Sequence, residues 1–434
     1  MEKYKVMKKL LLILLCLPMI GFGQGWINYY NDVAETGGVT IRQTTDLGYL
    51  ILGDNIIKTN NNGDTLWKLD YPASDGFQTT DGGYIACEYW GYGSFVRFDA
   101  QGDTLWTKPF NGASIIHSND GGFVFTNSKC SGNPFASEQN NTKFDKDCHQ
   151  INLFKTDSVG NLLWSKTYFP ESIYGDNSAY SLIKTYDDGY MIFGSHPLGY
   201  SYFEGHLIKT DINGDTLWTK GYNFGKVSQG IQTIDSGYIF TGHVDTIDGA
   251  NNSVYLLKTN SLGGQEFVKT FQHPNPSTSS EIYPSSVNQT NDGGYIMTLT
   301  IKDGPWFGEI YVIKTNSLGD TIWTNTFCNA NCFMMYRGAN NIQQTADGGY
   351  ILTGVYWDGS FNSYNEPDEN GMSTIVIKIN HLGNLTSTQH ISLSNNNRNL
   401  LKVTDLLGRE TKQTNQPLFY IYDDGTVEKR IVIE

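Results

Sequence analysis

One pentapeptide recurs in the sequence with residues that could bind an ion. Gly-Asp-Thr-Leu-Trp stands at 63–67, 102–106 and 214–218, and Gly-Asp-Thr-Ile-Trp stands at 319–323. A carboxylate and a hydroxyl beside a flexible glycine could hold a metal ion or approach a phosphate. The same residues could instead close a β-turn, because Asx and Gly are favoured in turns. We interpret the pentapeptide as part of a turn that the fold needs several times.

Motifs of familiar catalytic chemistry do not occur in the sequence. There is no H-E-x-x-H, G-x-S-x-G or P-loop, and no two of the eight His stand at a ligand spacing. Several loop carboxylates could form an acid–base pair for glycoside cleavage, but we favour solvated loop charge for them. They are Asp245, Asp248, Asp303, Glu309, Asp358, Glu366 and Asp368. We therefore predict no catalytic residue, no cofactor and no metal site.

Seven copies of one longer motif organise the chain. Each copy has Asp-x-Gly followed by an aromatic residue, then an apolar run with one basic residue, then Asx-x-x-Gly. Such internal repetition is typical of repeat architectures. The seven acidic residues are Asp46, Asp81, Asp120, Asp187, Asp235, Asp292 and Asp347, and the seven basic residues are Lys58, Arg97, Lys155, Lys209, Lys258, Lys314 and Lys378.

The repeated acidic and basic residues allow two interpretations. A ring of basic side chains could line a channel and hold an anion. The same residues could instead make one structural contact in each unit. We favour the structural interpretation, because a rule that all seven units obey reflects architecture before activity.

Both glycine motifs predict hairpin turns. Asx at the first turn position and Gly at the fourth are typical of a type I turn, in which Gly then supplies the positive φ of a bulge. Each unit therefore holds four short antiparallel strands, and the last of them carries Trp. An aromatic content of 13% and 47 Gly suit such an all-β chain. Seven units predict a seven-bladed β-propeller over residues 24–390.

The start of this region predicts how the ring closes. The seventh unit has Ser387 where a Trp is expected, and the sequence GWINYYN at 25–31 looks like a Trp strand without its unit. We predict that Trp26–Tyr30 forms the fourth strand of the last blade. This strand would cover edges that otherwise stay open.

The motif resembles the tryptophan-docking repeat of quinoprotein-like propellers, in which Asp, Gly and Trp recur at similar spacing. It is also similar to the repeats of secreted propeller proteins of Bacteroidota, which follow the pattern DGGYI…G…KTD..G…W. The resemblance covers about residues 24–390 and implies the propeller fold. It implies no quinone, because no cofactor-binding constellation can be carried over to particular positions.

The first residues predict a secretory signal peptide at 1–23. A start with four Lys precedes an apolar run at 10–20, and small residues surround Gly23, so cleavage is expected before Gln24. A lipoprotein signal would use Cys16, but a bulky Leu stands where its cleavage site needs a small residue. The apolar run is too short for a comfortable membrane span, and we predict no span in the mature chain.

Charge argues against two classes of partner. Loss of residues 1–23 moves the formal net charge from −14 to −17, because this segment holds four Lys and one Glu. Nucleic acid and anionic membranes need clustered Lys and Arg, so neither is expected as a partner. Simple solubility outside the cell explains the acidic surface.

Five Cys remain beyond residue 23. We pair Cys130 with Cys148 and Cys328 with Cys332, because each pair lies within one polar loop and an exported chain permits disulfides. Cys87 is then the odd thiol, expected to be buried in a strand. A zinc site at Cys328 and Cys332 lacks a second pair of ligands nearby.

The last residues resemble the C-terminal sorting domain of proteins that the type IX secretion system of Bacteroidota exports. The matching pieces are Asp405-Leu-Leu-Gly408-Arg409 and PLFYIYDDGTVEKRIVIE, which contains Tyr420, Asp424 and Gly425. The match covers about 391–434 and lacks the usual YPNP-like opening, so the domain looks shortened. The resemblance implies contact with the secretion machinery and a secreted or cell-surface protein. Alternatively, the tail is a hairpin that caps the propeller.

The long connections predict where a ligand binds. Strand direction alternates within a blade, so both tight turns lie on one face and the variable loops on the other. Exposed aromatic rings on such loops suit sugars or peptides, or they only pack the loops together. The candidates are Trp90, Tyr92, Tyr202, Trp306, Trp357 and Tyr364. We predict a monomeric, non-enzymatic protein that binds a glycan or a protein; the alternative is a secreted hydrolase or lyase acting on polysaccharide through the loop face.

Overall fold

A computed structural model shows the arrangement of the chain. It describes residues 25–30, 40–88, 94–109, 112, 114–127, 150–168, 177–198, 203–244, 253–272, 280–303, 307–333, 339–357, 372–385, 400–404, 417–422 and 427–431. Two compact units, Met1–Ser387 and Thr388–Glu434, are described separately. The predicted signal peptide and the predicted boundary after residue 390 lie outside the described residues.

The first unit consists of seven four-stranded antiparallel sheets, the blades. Blade 1 holds β2 (Thr40–Gln43), β3 (Tyr49–Leu52), β4 (Ile56–Thr59) and β5 (Thr65–Leu69). Blade 2 holds β6 (Asp75–Gln78), β7 (Tyr84–Cys87), β8 (Phe95–Phe98) and β9 (Thr104–Lys108). Blade 3 holds β10 (Ser114–His117), β11 (Phe123–Asn127), β12 (Ile151–Thr156) and β13 (Leu162–Tyr168). Blade 4 holds β14 (Ser178–Lys184), β15 (Tyr190–Pro197), β16 (Phe203–Thr210) and β17 (Thr216–Tyr222).

The remaining blades follow the same order, apart from the last. Blade 5 holds β18 (Val227–Gln232), β19 (Tyr238–His243), β20 (Ser253–Thr259) and β21 (Gln265–Gln272). Blade 6 holds β22 (Ser280–Gln289), β23 (Tyr295–Asp303), β24 (Phe307–Thr315) and β25 (Thr321–Phe333). Blade 7 holds β26 (Ala339–Gln344), β27 (Tyr350–Trp357) and β28 (Met372–Ile379), and β1 (Trp26–Tyr30) is its fourth strand.

The ring is closed in the way that the sequence predicts. Strand β1 pairs antiparallel with β28, from Trp26 opposite Lys378 to Tyr30 opposite Thr374. The first strands of neighbouring blades contact one another all the way round, including β26 against β2. These first strands therefore surround a central channel, and the predicted seven-bladed β-propeller is confirmed.

The hydrophobic core consists of seven clusters, each between two neighbouring blades. In the cluster between blades 1 and 2, Leu50 and Leu52 pack with Tyr84 and Phe98. The second strand of blade 1 reads Tyr-Leu-Ile-Leu and is buried at all four positions, because both of its faces meet a neighbouring blade. The fourth strand of the same blade is partly exposed along its length, as expected for an outer strand.

The repeated Asx-x-x-Gly motif forms the predicted bulged hairpin turn. In blade 1 the Gly63 amide donates to the Asn60 carbonyl at 3.2 Å, and the Asn60 amide donates to the Asp64 carbonyl at 2.9 Å. Gly63 has a φ of 85°, which non-glycine residues rarely adopt. Its Asn60 side chain accepts hydrogen bonds from the Asn62 and Asp64 amides, which fixes the turn.

Of the five Cys considered in the sequence, the structure places Cys87 in β7, where it is buried and free. That prediction is confirmed. Cys130 and Cys148 lie outside the described residues. On β25, Phe327 stands opposite Ile310 and Cys332 opposite Gly308, so the residues between them bulge out of the ladder. The side chains of Cys328 and Cys332 are not described, and both disulfides stay predictions.

The second unit contains a three-stranded antiparallel sheet in the order β29 (Leu400–Thr404), β30 (Pro417–Tyr422) and β31 (Val427–Ile431). Leu400 stands opposite Tyr422, and Pro417 stands opposite Ile431. Tyr420 of the sorting motif lies in β30, whereas Asp405, Gly408, Arg409, Asp424 and Gly425 lie outside the described residues. In the described part of the chain, no helix is long and apolar enough to cross a membrane.

Candidate functional site

The repeated acidic and basic residues form one ion pair in each blade. In blade 1 the Lys58 Nζ lies 2.8 Å from Asp46 Oδ2 and donates to the Thr59 carbonyl at 2.7 Å. The basic side chain is buried under the turn and the acidic one is partly exposed in all seven pairs. The other pairs are Arg97–Asp81 at 2.6 Å, Lys155–Asp120 at 2.6 Å, Lys209–Asp187 at 2.9 Å, Lys258–Asp235 at 2.8 Å, Lys314–Asp292 at 2.9 Å and Lys378–Asp347 at 2.9 Å.

This pair is structural, as the sequence predicts. The basic side chains come from the third strand of each blade and reach their own turn, so the alternative of a basic ring around the channel is wrong. Burial alone would raise the pKa of the Asp46 carboxyl, but hydrogen bonds from Lys58, Thr44 and Gly48 outweigh it and lower that pKa. Gly48 must lack a side chain, because a Cβ there would lie 2.1 Å from the Thr59 carbonyl oxygen and 2.7 Å from Lys58 Nζ.

The tryptophans join each blade to the next one. The Trp67 ring lies against Gly102 in the turn of blade 2, and its Nε1 donates to the Ala100 carbonyl at 3.1 Å. Six interfaces use Trp in this way, and Phe267 takes its place between blades 5 and 6. The closing strand obeys the same rule: Trp26 of blade 7 lies against Gly63 of blade 1, and Tyr30 Oη donates to the Gly63 carbonyl at 2.6 Å. The pentapeptide therefore belongs to the scaffold.

In five blades a third repeated contact lies at the end of the first strand nearest the tight turns. Gln78 of blade 2 accepts from the Thr45 amide of blade 1 at 2.8 Å and donates to the Gly82 carbonyl of its own turn at 3.3 Å. We call such a residue a latch glutamine. The latch glutamines are Gln43, Gln78, Gln232, Gln289 and Gln344.

Blades 3 and 4 break this rule. His117 and Lys184 occupy the two remaining latch positions. Lys184 Nζ contacts the Asn119 amide oxygen of blade 3 and lies 3.2 Å from Asp188 Oδ1. Burial lowers the pKa of His117, and the neighbouring Lys184 lowers it further. The repeated architecture does not require these two residues.

Residues directly before the latch positions form part of the wall of the central channel. Phe77, Ile116, Ile183 and Ile231 come from the consecutive blades 2 to 5, and Arg42 and Asn288 come from blades 1 and 6. Together with neighbouring residues they line a cavity of about 550 Å³. That volume lies within the range of small-molecule sites. The lining thus combines a row of apolar side chains from blades 2 to 5 with polar and charged side chains that come from several blades, among them Asp75 and Lys184.

An ion pair that has no counterpart in the described part of the other blades lies in this wall. Arg42 of blade 1 reaches Asp75 of blade 2, with Nη2 at 3.1 Å from Oδ1. The Asp75 carboxylate also accepts from the Gly76 amide at 2.9 Å, the Ser114 hydroxyl at 3.0 Å and the Ile115 amide at 3.1 Å. Asp75 thus ties three blades together beside the cavity.

A second unrepeated cluster lies toward the loop face of blade 4. His206 Nδ1 lies 3.1 Å from Glu204 Oε1, His196 Nδ1 lies 2.6 Å from Asn177 Oδ1, and the two imidazole centroids are 6.0 Å apart. Burial lowers the pKa of His206, although Glu204 opposes that shift. This pairing could not be predicted from the sequence, because strands β15 and β16 bring together two His that are not at a ligand spacing. Among the described residues, no group of three or more ligating side chains could hold a metal ion.

The aromatic candidates for ligand binding remain predictions. Trp90, Tyr92, Tyr202, Trp306 and Tyr364 lie outside the described residues, and Trp357 ends β27 with an undescribed side chain. Sequence reasoning missed the channel residues. The available signal was the replacement of Gln by His117 and Lys184 at a position that five other blades keep constant.

Comparison with known proteins yields similarity of fold. No protein-family model matches the sequence, and a search of curated proteins finds no match. A protein of unknown function from Dyadobacter fermentans DSM 18053 is similar at 9% identity, with 82% of this chain and 98% of that chain covered and a TM-score of 0.48.

Two further solved structures are similar. The WD40 β-propeller domain of Doa1 has 9% identity, with 80% of this chain and 95% of that chain covered and a TM-score of 0.47. BamB from Moraxella catarrhalis has 12% identity, with 81% and 99% covered and a TM-score of 0.39. All three TM-scores are below 0.5, so the propeller fold rests on this chain's own strand pairing and not on these likenesses.

Proposed function

We propose that this protein is an exported, non-enzymatic binding protein built on a rigid propeller ring. One observation carries the proposal: the residues repeated in the blades hold the ring together, while unrepeated ionisable side chains lie elsewhere in the described residues. Arg42 and Asp75 lie in the channel, and His206 and Glu204 lie toward the loop face. Variable side chains on a rigid support are where binding usually occurs.

The proposed ligand of the loop face is a glycan or a protein. A glycan array probed with residues 24–390 tests this, and every glycan that binds is then incubated with the protein and analysed for cleavage products. Binding without cleavage supports the proposal. A matched variant with residues 358–371 replaced by a short Gly-Ser linker should lose binding, because this segment carries Tyr364. Release of shortened glycans would instead identify a hydrolase or lyase.

We also propose export through the type IX secretion system. The basic and apolar start and the two C-terminal motifs support this route. Deletion of residues 400–434 should leave the protein in the periplasm, as measured by fractionation of cells and medium. The double variant Gly408→Ala and Arg409→Ala, in the full-length chain, should have the same effect if the motif is recognised. Normal export of both variants would contradict a sorting role and favour a capping hairpin.

A further inference from the structure

The wall of the central channel carries both apolar and charged side chains. Phe77, Ile116, Ile183 and Ile231, which we call the apolar arc, follow one another around blades 2 to 5. Arg42 belongs to blade 1, which neighbours blade 2 in the ring, and it lines the same cavity. A molecule in the 550 Å³ cavity could therefore contact an apolar surface and a guanidinium at the same time.

Arg42 uses little of its hydrogen-bonding capacity within the protein. A guanidinium carries five N–H donors, yet Arg42 donates one side-chain hydrogen bond among the described residues, from Nη2 to Asp75 Oδ1. Its Nε is buried and has no partner in the described part of the chain. The side chain is 38% exposed and lines the channel. The donors left for a ligand are those of Nη1 and the second N–H of Nη2, which have no partner among the described residues. Free guanidinium donors beside a cavity favour a planar anion such as a carboxylate.

Asp75 takes up only one of the donors of Arg42. Three other donors, from Gly76, Ser114 and Ile115, lie within 3.1 Å of its carboxylate oxygens. These donors would hold the Asp75 carboxylate in place when Arg42 binds a second anion. Lys184 adds another positive charge to the lining of the same cavity, with Asp188 as its partner.

We propose that the central channel binds a small organic carboxylate whose apolar body lies against the apolar arc and whose carboxylate lies on Arg42. The site is separate from the loop-face ligand proposed above, and a glycan array neither supports nor contradicts it. The chain as a whole has a formal charge of −14, so recognition of an anion depends on local donors and not on the overall field.

Three probe molecules separate the contribution of the carboxylate to binding from that of the apolar body. 4-Phenylbutyrate has both the carboxylate and the apolar body, 4-phenylbutanamide lacks the charge, and acetate lacks the body. Isothermal titration calorimetry with residues 24–434 should give a Kd for 4-phenylbutyrate at least about tenfold lower than for either other probe, because each partner contact of about 1.4 kcal/mol is worth a factor of ten. A stoichiometry of one in the same titration would indicate a single site.

Variants place the site in the channel. Arg42→Gln should bring the affinity for 4-phenylbutyrate down to that of the amide, while Arg42→Lys, which keeps the charge, should retain part of the preference. Ile183→Asn should weaken both aromatic probes alike and leave the preference for the carboxylate unchanged. Lys269→Gln is the matched control: it removes a cation whose exposed ion pair with Asp320 lies outside the channel lining, and it should leave binding unchanged.

The possible outcomes decide the proposal. If the carboxylate and the amide bind equally, or if no probe binds, the channel site is refuted. If Arg42→Gln folds with unchanged circular dichroism and binds 4-phenylbutyrate as the parent does, the site lies elsewhere and the proposal fails. If Arg42→Gln does not fold, Arg42→Lys and Ile183→Asn carry the test, and unchanged affinities in both would overturn it.

Discussion

At the scale of single residues, the ring contains two kinds of ionisable side chain. Those that repeat, such as Lys58 and Asp46, are paired and bonded to the turn beneath which they lie. Those that do not repeat, such as His243, have contacts that no other blade reproduces among the described residues. His243 is largely buried, its Nδ1 has no hydrogen-bond partner in the described part of the chain, and its ring lies 5.2 Å from that of Tyr283. The two kinds should respond differently to pH and to substitution.

His243 should make the protein less stable between pH 6.5 and pH 4. Burial, followed by the charge of Lys226, lowers its pKa to about 4, although Glu281 opposes the shift. Because the folded pKa lies below the unfolded one, the unfolded chain binds the extra proton as pH falls through this window, and stability is lost. Urea unfolding at several pH values should show a loss of up to about 3 kcal/mol that His243→Phe removes. The loss of stability over this pH range should be the same in the Asp46→Asn variant as in the parent chain.

The seven paired carboxylates act at lower pH. Their pKa values are all lowered from 3.8. The stability that they contribute is therefore fully present above pH 3.8 and is lost as pH falls through the folded values. Between pH 6.5 and pH 4 the His243→Phe variant should lose less stability than the parent chain, and what it still loses comes from His117 and His206, whose pKa values burial also lowers. An equal loss of stability in the two proteins over this pH range would contradict the role given to His243.

Lys58→Met tests the repeated pair. The substitution keeps the buried stem but removes three contacts of Nζ: two with Asp46 and one with the Thr59 carbonyl. We expect a loss of about 1–3 kcal/mol in the free energy of unfolding, because the buried carbonyl loses its donor. Lys166→Met breaks the exposed pair with Asp215 and should cost less than about 1 kcal/mol. Equal losses in chemical denaturation would show that the buried pair is no more important than a surface pair.

At the scale of strands and blades, each interface combines an apolar cluster with a ring docked on a turn glycine. The interface between blades 5 and 6 differs, because Phe267 stands where the others have Trp, and Glu266 before it pairs with Lys258 at 2.9 Å. A cavity of about 640 Å³ beside Phe267 is open to solvent and lined by Tyr295 and Leu318. This interface should be the easiest to improve.

Phe267→Trp should stabilise the ring. The larger ring would fill part of this cavity, and its Nε1 could donate to the Ser317 carbonyl as Trp67 does to that of Ala100. We expect a gain of about 0.5–2 kcal/mol, typical of cavity filling, measured by the midpoint of guanidinium unfolding. The reverse change, Trp106→Phe at a standard interface, should destabilise the protein. A destabilised Phe267→Trp variant would indicate that Glu266 and Lys258 need the space.

Much of this element-level structure could be predicted from the sequence, because it rests on local rules. Asn60 and Gly63 specify a turn, and Trp26 without a unit of its own specifies a closing strand. The channel site could not be predicted in this way. Arg42, Asp75 and Ile183 lie far apart in the chain, and their meeting depends on where the first strands stand around the ring. The types of these three residues do not by themselves predict that they line one cavity.

At the scale of the whole molecule, the first and last described strands of the propeller unit meet within one blade. Eight residues separate Lys58 from Trp67 across the turn of blade 1, and these two residues pair. In blade 7 the equivalent pair is Lys378 and Trp26. Joining Leu385 directly to Gly25 would place eight residues between them as well. The sequence thus already contains the hairpin of a circularly permuted ring.

A circular permutant tests this equivalence. The chain would start at residue 111, continue to Leu385, pass directly to Gly25 and end at residue 110, in the connection between β9 and β10. We expect one cooperative unfolding transition within about 2 kcal/mol of the parent chain 24–390, because all seven blades and their cores are retained. The control removes residues 24–30 without the fusion and should melt at least about 10 °C lower. Failure of the permutant to form the ring would show that the seam at blade 7 has a special role.

The pairing of β1 with β28 also has a consequence for the order in which strands can pair during synthesis. Trp26–Tyr30 is among the first strands to leave the ribosome, yet its partner Met372–Ile379 is among the last of the ring. Until then, an aromatic segment waits with its backbone unpaired while the blades between them fold in turn. A product that stops short of residue 372 would keep that segment exposed for chaperones and proteases to recognise. Strand β1 can therefore pair only after β28 has been synthesised, and a closed ring requires that synthesis has passed the end of blade 7.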